Sequence, residues 1–242
     1  MRDQQGVGLP ELLIALLLSS LISMTLMKHY ISVKRQYQSI QTALGQSLEL
    51  ESVAILIRDS VRHAGFTPCI GLEHLIVFDA RHPQREALSV SRGRLQVRRM
   101  SEHFETVIQA MGPSVLRTTA HATWKSQDSL LVADCYHAEV QTIAKVSRVG
   151  QEMLLILDAP LVFSYHEPYY VGPWIEETYA IHTNKHGQSA LYYILNHAEA
   201  LTSAIVDLSF YVERRMGHYF LQLQLHLEKG TLKELDTVVR SQ

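Results

Sequence analysis

The chain is short of cysteine: among 242 residues only Cys69 and Cys135 carry thiols. In an exported domain, two cysteines are most simply one disulfide, with a metal pair or two free thiols as the alternatives. The chain also lacks a charge bias. Twenty-two Lys and Arg stand against 24 Asp and Glu, which excludes a protein whose whole surface seeks polyanions. It has no internal repeat and no low-complexity linker. The amino-terminal head lacks net basic charge, because Arg2 and Asp3 cancel, and no clean A-x-A site follows it. Both absences argue against an ordinary secretory signal peptide.

What is present is a long apolar run from residue 7 to residue 27, entered through Gly6-Val7-Gly8-Leu9-Pro10-Glu11. About 20 apolar residues cross a bilayer. One carboxylate, Glu11, interrupts the start of the run. An acidic side chain at the centre of a membrane helix costs roughly 2.5–3.5 kcal/mol and usually needs a partner. Cutting after Gly6 creates one, the α-amino group of Val7, with Glu11 as the fifth residue of the mature chain. A plain single-span anchor fits the length but leaves Glu11 without a purpose. A buried core helix of a soluble protein is the remaining reading. The positive-inside rule does not orient the span, since Lys28, Lys34 and Arg35 follow it and the head is neutral in sum.

This stretch resembles a type IV prepilin, the precursor of a pilus or pseudopilus subunit. That pattern is a short hydrophilic leader ending in Gly, an apolar residue, three more residues, Glu, and an apolar helix. Here it is met by Gly6, Val7, Gly8-Leu9-Pro10, Glu11 and Leu12-Leu13-Ile14-Ala15-Leu16. Val7 stands where Phe is commoner, and Gly8 where Thr or Ser is. Further along, Arg58-Asp59, Arg62-His63-Ala64-Gly65-Phe66-Thr67-Pro68-Cys69 and Asp128-Ser129-Leu130-Leu131-Val132-Ala133-Asp134-Cys135 resemble the PilW-like minor pilins. Tyr179-Ala180-Ile181, Ser189-Ala190-Leu191-Tyr192-Tyr193 and residues 204–211 resemble late strands of the same family. The resemblance implies cleavage and N-methylation by prepilin peptidase, inner-membrane insertion with a periplasmic head, and assembly with other minor pilins and the major pilin. It implies a structural subunit, not an enzyme, with no cofactor.

Pro10 suits an early helical position, where its missing N–H costs nothing. Ser19, Ser20, Ser23 and Thr25 are small polar residues that allow close helix approach. Val33, Tyr37, Ile40, Leu44 and Leu48, then Ala54, Ile57, Val61 and Ala64, recur at three- and four-residue steps. They predict an amphipathic helix with one face for a core. Gly45 is its weak point, and Gly65 and Pro68 end it. From Pro10 to Ala64 the helix would run roughly 80 Å, too long for one small core. Beyond it the sequence reads as sheet. Leu154-Leu155-Ile156-Leu157 and Leu161-Val162-Phe163 flank Asp158-Ala159-Pro160, and residues 182–188 form a polar hairpin loop. Tyr219, Leu221, Leu223, Leu225 and Leu227 alternate as a half-buried strand, turned at Lys229-Gly230, with an edge strand from Lys233 to Arg240.

These elements predict an α+β fold, a long helix packed on an antiparallel sheet, pilin-like. The divisions are a leader 1–6, a transmembrane or filament-core helix 7–28, an amphipathic helix half 29–65 and a periplasmic β-rich domain 66–242. Four further constellations stand out in the sequence. Cys135 and His137 share a strand face on paper, but no third catalytic group is evident. His182 and His186 have helical metal spacing, yet Gly187 puts them in a loop, so no metal site is expected. Arg81, Arg85, Arg92, Arg94, Arg98 and Arg99 face only Glu86 in sequence. They read as a solvated hairpin turning at Ser91-Arg92-Gly93-Arg94, or as a DNA-contacting patch at Arg92, Arg94, Arg98 and Arg99 of an uptake pilus. Tyr165, Tyr169, Tyr170 and Trp174, near Pro168 and Pro173, read as an aromatic loop that packs on the sheet or a neighbouring subunit. The alternatives to a minor pilin are a J-type pseudopilin of type II secretion and, in another class, a DNA-binding uptake module.

Overall fold

A computed structural model describes residues 8–80, 86–91, 93–119, 123–183, 187, 189–215, 218–227 and 232–238. Helix α1 spans Leu9–Arg62. The chain divides into two compact units, Met1–Glu51 and Ser52–Gln242. The amphipathic segment expected over residues 29–65 is thus shared between them.

In the first unit the helix is apolar and long enough to cross a membrane. Leu12, Leu13, Leu16, Leu17, Leu21 and Ile22 are all exposed. So are Val33, Tyr37, Ile40, Leu44 and Leu48, the face expected to enter a core. That expectation holds only further along, in the second unit. Val53, Ala54, Ile57 and Val61 continue the same rhythm and are buried. Periodicity marks a face that wants a cover, not which chain supplies it.

The second unit is built from the end of α1, a short 3-10 turn at Leu72–His74, and strands β1 (Ile76–Asp79), β2 (Leu88–Ser91), β3 (Arg94–Met100), β4 (Glu105–Ala110), β5 (Val115–Thr119), β6 (Ser129–Ala133), β7 (His137–Val149), β8 (Glu152–Leu157), β9 (Tyr170–Thr183), β10 (Ser189–Ile194), β11 (Ala198–Thr202), β12 (Ile205–Arg215), β13 (His218–Leu227) and β14 (Leu232–Val238). The fold class is α+β, as expected. The first eleven strands make one sheet and β12-β13-β14 a second. One pairing corrects the all-antiparallel expectation: β1 lies parallel to β7, with Ile76 opposite His137. The chain between these strands is long enough for the crossover that parallel neighbours require.

Helix α1 ends where Gly65 takes φ +72° and its N–H donates to the Arg98 carbonyl (2.8 Å). A side chain there would also meet Ala87 Cβ at 2.8 Å, so the turn demands glycine twice over. Strand β9 is the hub, pairing with β3, β4, β6 and β10. Its Gly172 lets Met100 in close: an added Cβ would fall 2.7 Å from Met100 Cγ. Pro173 sits inside this strand although it lacks a donor, and its carbonyl accepts the Ser101 N–H (2.9 Å). Tyr170 and Trp174 therefore belong to a strand, which corrects the aromatic-loop reading. Tyr165 and Tyr169 do lie in the loop before it, stacked at 5.5 Å. Leu161-Val162-Phe163 is not a strand either. Its N–H groups are spent elsewhere, Leu161 on the Pro113 carbonyl (2.7 Å) and Val162 on the Glu139 carboxylate (2.8 Å). Along β13 the expected alternation holds: Leu221, Leu223 and Leu225 are buried. The proposed turn at Lys229-Gly230 lies outside the described residues.

Candidate membrane segment and its disulfide-tied head

The helix begins at Leu9 because Gly8 caps it. The Gly8 carbonyl accepts the N–H of Glu11 (3.0 Å) and of Leu12 (3.3 Å). In return Glu11 Oε2 accepts the Gly8 N–H at 3.1 Å. Glu11 is the third helical residue, so this is the acidic half of a capping box, and its charge suits the positive end of the helix dipole. Gly6 and Val7, the expected processing junction, lie outside the described residues. Val7 is bonded to Gly8, so the carboxylate reaches back to within one residue of the proposed new terminus.

Three of the small hydroxyls of the apolar run, those of Ser19, Ser20 and Thr25, bond to their own helix. Ser19 Oγ donates to the Leu16 carbonyl (2.9 Å), Ser20 Oγ to Leu17 (2.8 Å) and Thr25 Oγ1 to Ile22 (2.8 Å). Unpaired, each would cost free energy in hydrocarbon. Bonded to their own helix they leave a surface that lipid or another helix can cover.

Cys69 and Cys135 are joined in a disulfide, with Cα atoms 5.2 Å apart and a sequence separation of 66. The bridge ties the segment after α1 to the turn between β6 and β7. That turn is organised by Asp134, which is 1% exposed. Asp134 Oδ1 accepts the N–H groups of Tyr136 (2.7 Å) and His137 (2.6 Å), and Oδ2 accepts that of His166 (2.9 Å). Burial pushes its carboxyl up, but the backbone donors of His166, His137 and Tyr136, helped by the His137 ring, outweigh it. They hold the group below the usual carboxylate value. Glu139, fully buried, anchors the other end of the same loop. It accepts from Val162 N–H (2.8 Å), from the Tyr165 hydroxyl (3.3 Å) and from the Gln141 amide. Burial first, and then the Glu139 charge, push the Tyr165 phenol well above its ordinary value. The 158–169 loop is thus nailed to the bridge-bearing turn by two buried carboxylates. With Cys135 bonded to Cys69, no thiol remains to pair with His137.

Within the same unit, the Ser60 and Tyr179 hydroxyls share a buried hydrogen bond of 2.6 Å. Tyr179 packs on Tyr193 (5.3 Å), whose phenol is pushed up to about 12 by burial and by the Glu177 charge. This seats the last turns of α1 on β9.

No protein-family model, no curated protein and no solved structure matches the chain.

Among the described residues the arginines of the basic region do not share one face. Arg92 lies outside the described residues, as do Arg81 and Arg85. Arg94 starts β3 and is exposed. Arg98 and Arg99, adjacent on β3, fall on opposite faces. Arg98 is buried against Glu176 (Nε–Oε1 3.5 Å), and Arg99 pairs with Glu177 (3.1 Å). The solvated-hairpin reading fails for these two, because β9 brings glutamates that are remote in sequence. His182 lies edge-on to Tyr192 (5.5 Å), and His186 is outside the described residues. Among the described residues no group of three His, Cys, Asp or Glu forms a metal site. Sequence reasoning missed the roles of Asp134 and Glu139. Asp134 had a local signal, an Asp two residues before the N–H it would cap. Glu139 had none.

Proposed function

We propose that this chain is a membrane-inserted minor pilin of the PilW-like kind, a structural subunit that primes or caps type IV pilus assembly. The observation that carries the reading is the uncovered apolar helix with one carboxylate in its first turn. A helix whose Ser19, Ser20 and Thr25 hydroxyls bond its own carbonyls and whose apolar run is exposed is suited to lipid and then to the helices of other subunits. In this reading prepilin peptidase cuts after Gly6 and N-methylates Val7. The new ammonium, of this subunit or a neighbour, then meets Glu11 in a low dielectric. The periplasmic head is held by the Cys69–Cys135 bridge, and its partners are other minor pilins and the major pilin. The J-type pseudopilin is the alternative of the same class, and copurification with a major pilin or with secretion partners separates the two. Mass spectrometry of membrane-extracted protein tests the processing step. The expected species lacks the first six residues and carries a modified Val7. An intact Met1 in peptidase-competent cells refutes it.

A further inference from the structure

The chain has two tryptophans, Trp124 and Trp174, and both line one cleft of about 650 Å³. That volume is in the range of small-ligand sites. Four segments converge on it: His103 of the turn between β3 and β4, the turn entering β6, the middle of β9, and the turn between β10 and β11. They bring two amides, Gln127 and Asn196, and two carboxylates, Asp128 and Glu176.

The walls are fixed in advance. Gln127 holds φ +72°, an uncommon conformation for a residue with a side chain. Its N–H is committed to the Ile143 carbonyl (2.7 Å). Asp128 Oδ2 ties the turn by accepting the Lys125 N–H (2.8 Å). The half-buried Trp174 ring is steadied by its Nε1–H, which donates to Glu176 Oε1 (3.0 Å). Backbone strain at a cleft points toward a function for it.

We propose that this cleft binds a neutral carbohydrate. The half-buried Trp174 indole supplies an aromatic surface for the C–H face of a sugar ring, with Trp124 packed in the core behind the cleft, and amides and carboxylates match hydroxyls, which both donate and accept. The charge balance favours a neutral ligand over a cation. Glu176 is already opposed by Arg98, and the amides offer donors as well as acceptors. The site lies wholly within the Ser52–Gln242 unit, so the proposal is independent of the pilin reading.

Trp174 lines the cleft half-buried, whereas Trp124 is 7% exposed and part of the core beneath it, so a change in tryptophan emission is assigned to the cleft by comparing the wild-type chain with Trp174→Ala. The full chain is reconstituted in lipid nanodiscs, since glycoside detergents would compete. It is titrated with methyl β-glucoside, methyl β-galactoside, N-acetylglucosamine, cellotriose and chitotriose, and with choline as the cationic probe. The expected result is a saturable emission change with at least one sugar at millimolar concentration, insensitive to salt. Saturation-transfer NMR then compares Trp174→Ala and Asn196→Ala, each checked for an intact bridge and wild-type far-UV dichroism. Binding is expected to weaken about fivefold or more in each. Trp174 also packs near the core, so if its variant does not fold, the exposed Asn196 carries the test. Silence with all five sugars, binding of choline alone, or wild-type affinity in the folded variants overturns the proposal.

Discussion

Breaking the Cys69–Cys135 bridge probes how the head is held together. The cross-link closes 66 residues of chain. On the chain-entropy account, a loop of that size withholds about 4 kcal/mol of freedom from the unfolded state. The native turn does not need the bridge for its shape. Asp134 already fixes the N–H groups of Tyr136 and His137, so the loss acts mainly through the unfolded chain. For a unit of this size, each kcal/mol moves the melting midpoint by roughly 2–4 °C, which gives a fall of about 8–16 °C. The variant is the double Cys69→Ser/Cys135→Ser, which leaves no lone thiol. Thermal melts of the full chain, followed by far-UV dichroism, read the sheet signal. Wild-type protein melted with a reductant should fall to the midpoint of the double variant. A difference under about 3 °C, with the wild-type bridge verified by non-reducing peptide mapping, refutes the reasoning.

Two further predictions concern the carboxylates. Glu11→Gln keeps an oxygen to accept the Gly8 N–H and removes the charge, whereas Glu11→Leu removes both. Processing should persist in each, and recovery of partner pilins should fall in each, because the charge and not the cap draws an incoming ammonium. Equal recovery from Glu11→Gln and wild type rules out the charge pairing. Asp134 has its pKa lowered on folding, so its contribution is full above the unfolded value near 3.9 and is lost as pH falls through the folded value. Asp134→Asn should therefore cost about 2–3 kcal/mol at pH 7. The gap in denaturant midpoint between the two proteins should close as pH drops below about 4, and a gap that stays constant to acid pH contradicts the assignment.

Much of the architecture was legible because its causes are local. Pro10, Gly65 and Pro68 bracket the helix, the leucines of β13 alternate in register, and β9 and β10 pair as the expected hairpin. What was not legible depends on chain brought from afar. Arg98 and Arg99 read as solvated cations because Glu176 and Glu177 come from β9, far along the sequence. Leu161-Val162-Phe163 has the composition of a strand, but its N–H groups are taken by Pro113 and by a buried glutamate. The parallel pairing of β1 leaves no mark in a four-residue strand. The tryptophan cleft could not be seen at all, since Trp124 and Trp174 are separated by three strands. The face at Val33, Tyr37 and Ile40 was legible as a pattern, but not as one that stays exposed.

The disulfide also has a mechanical consequence. Tension along α1 enters the head a few residues before Cys69. From there the covalent bridge offers a shortcut to Cys135, and the chain between the two cysteines carries no load. At about 3.5 Å per extended residue, roughly 230 Å of chain stays hidden from a pulling force. Stretched between Leu9 and the carboxyl end in an optical trap, the oxidised chain should release that much less contour length than the reduced one. Equal lengths would mean the bridge is not on the force path. The strands inside the bridged loop are spared extension, while their partners β7, β8 and β9 lie on the loaded chain.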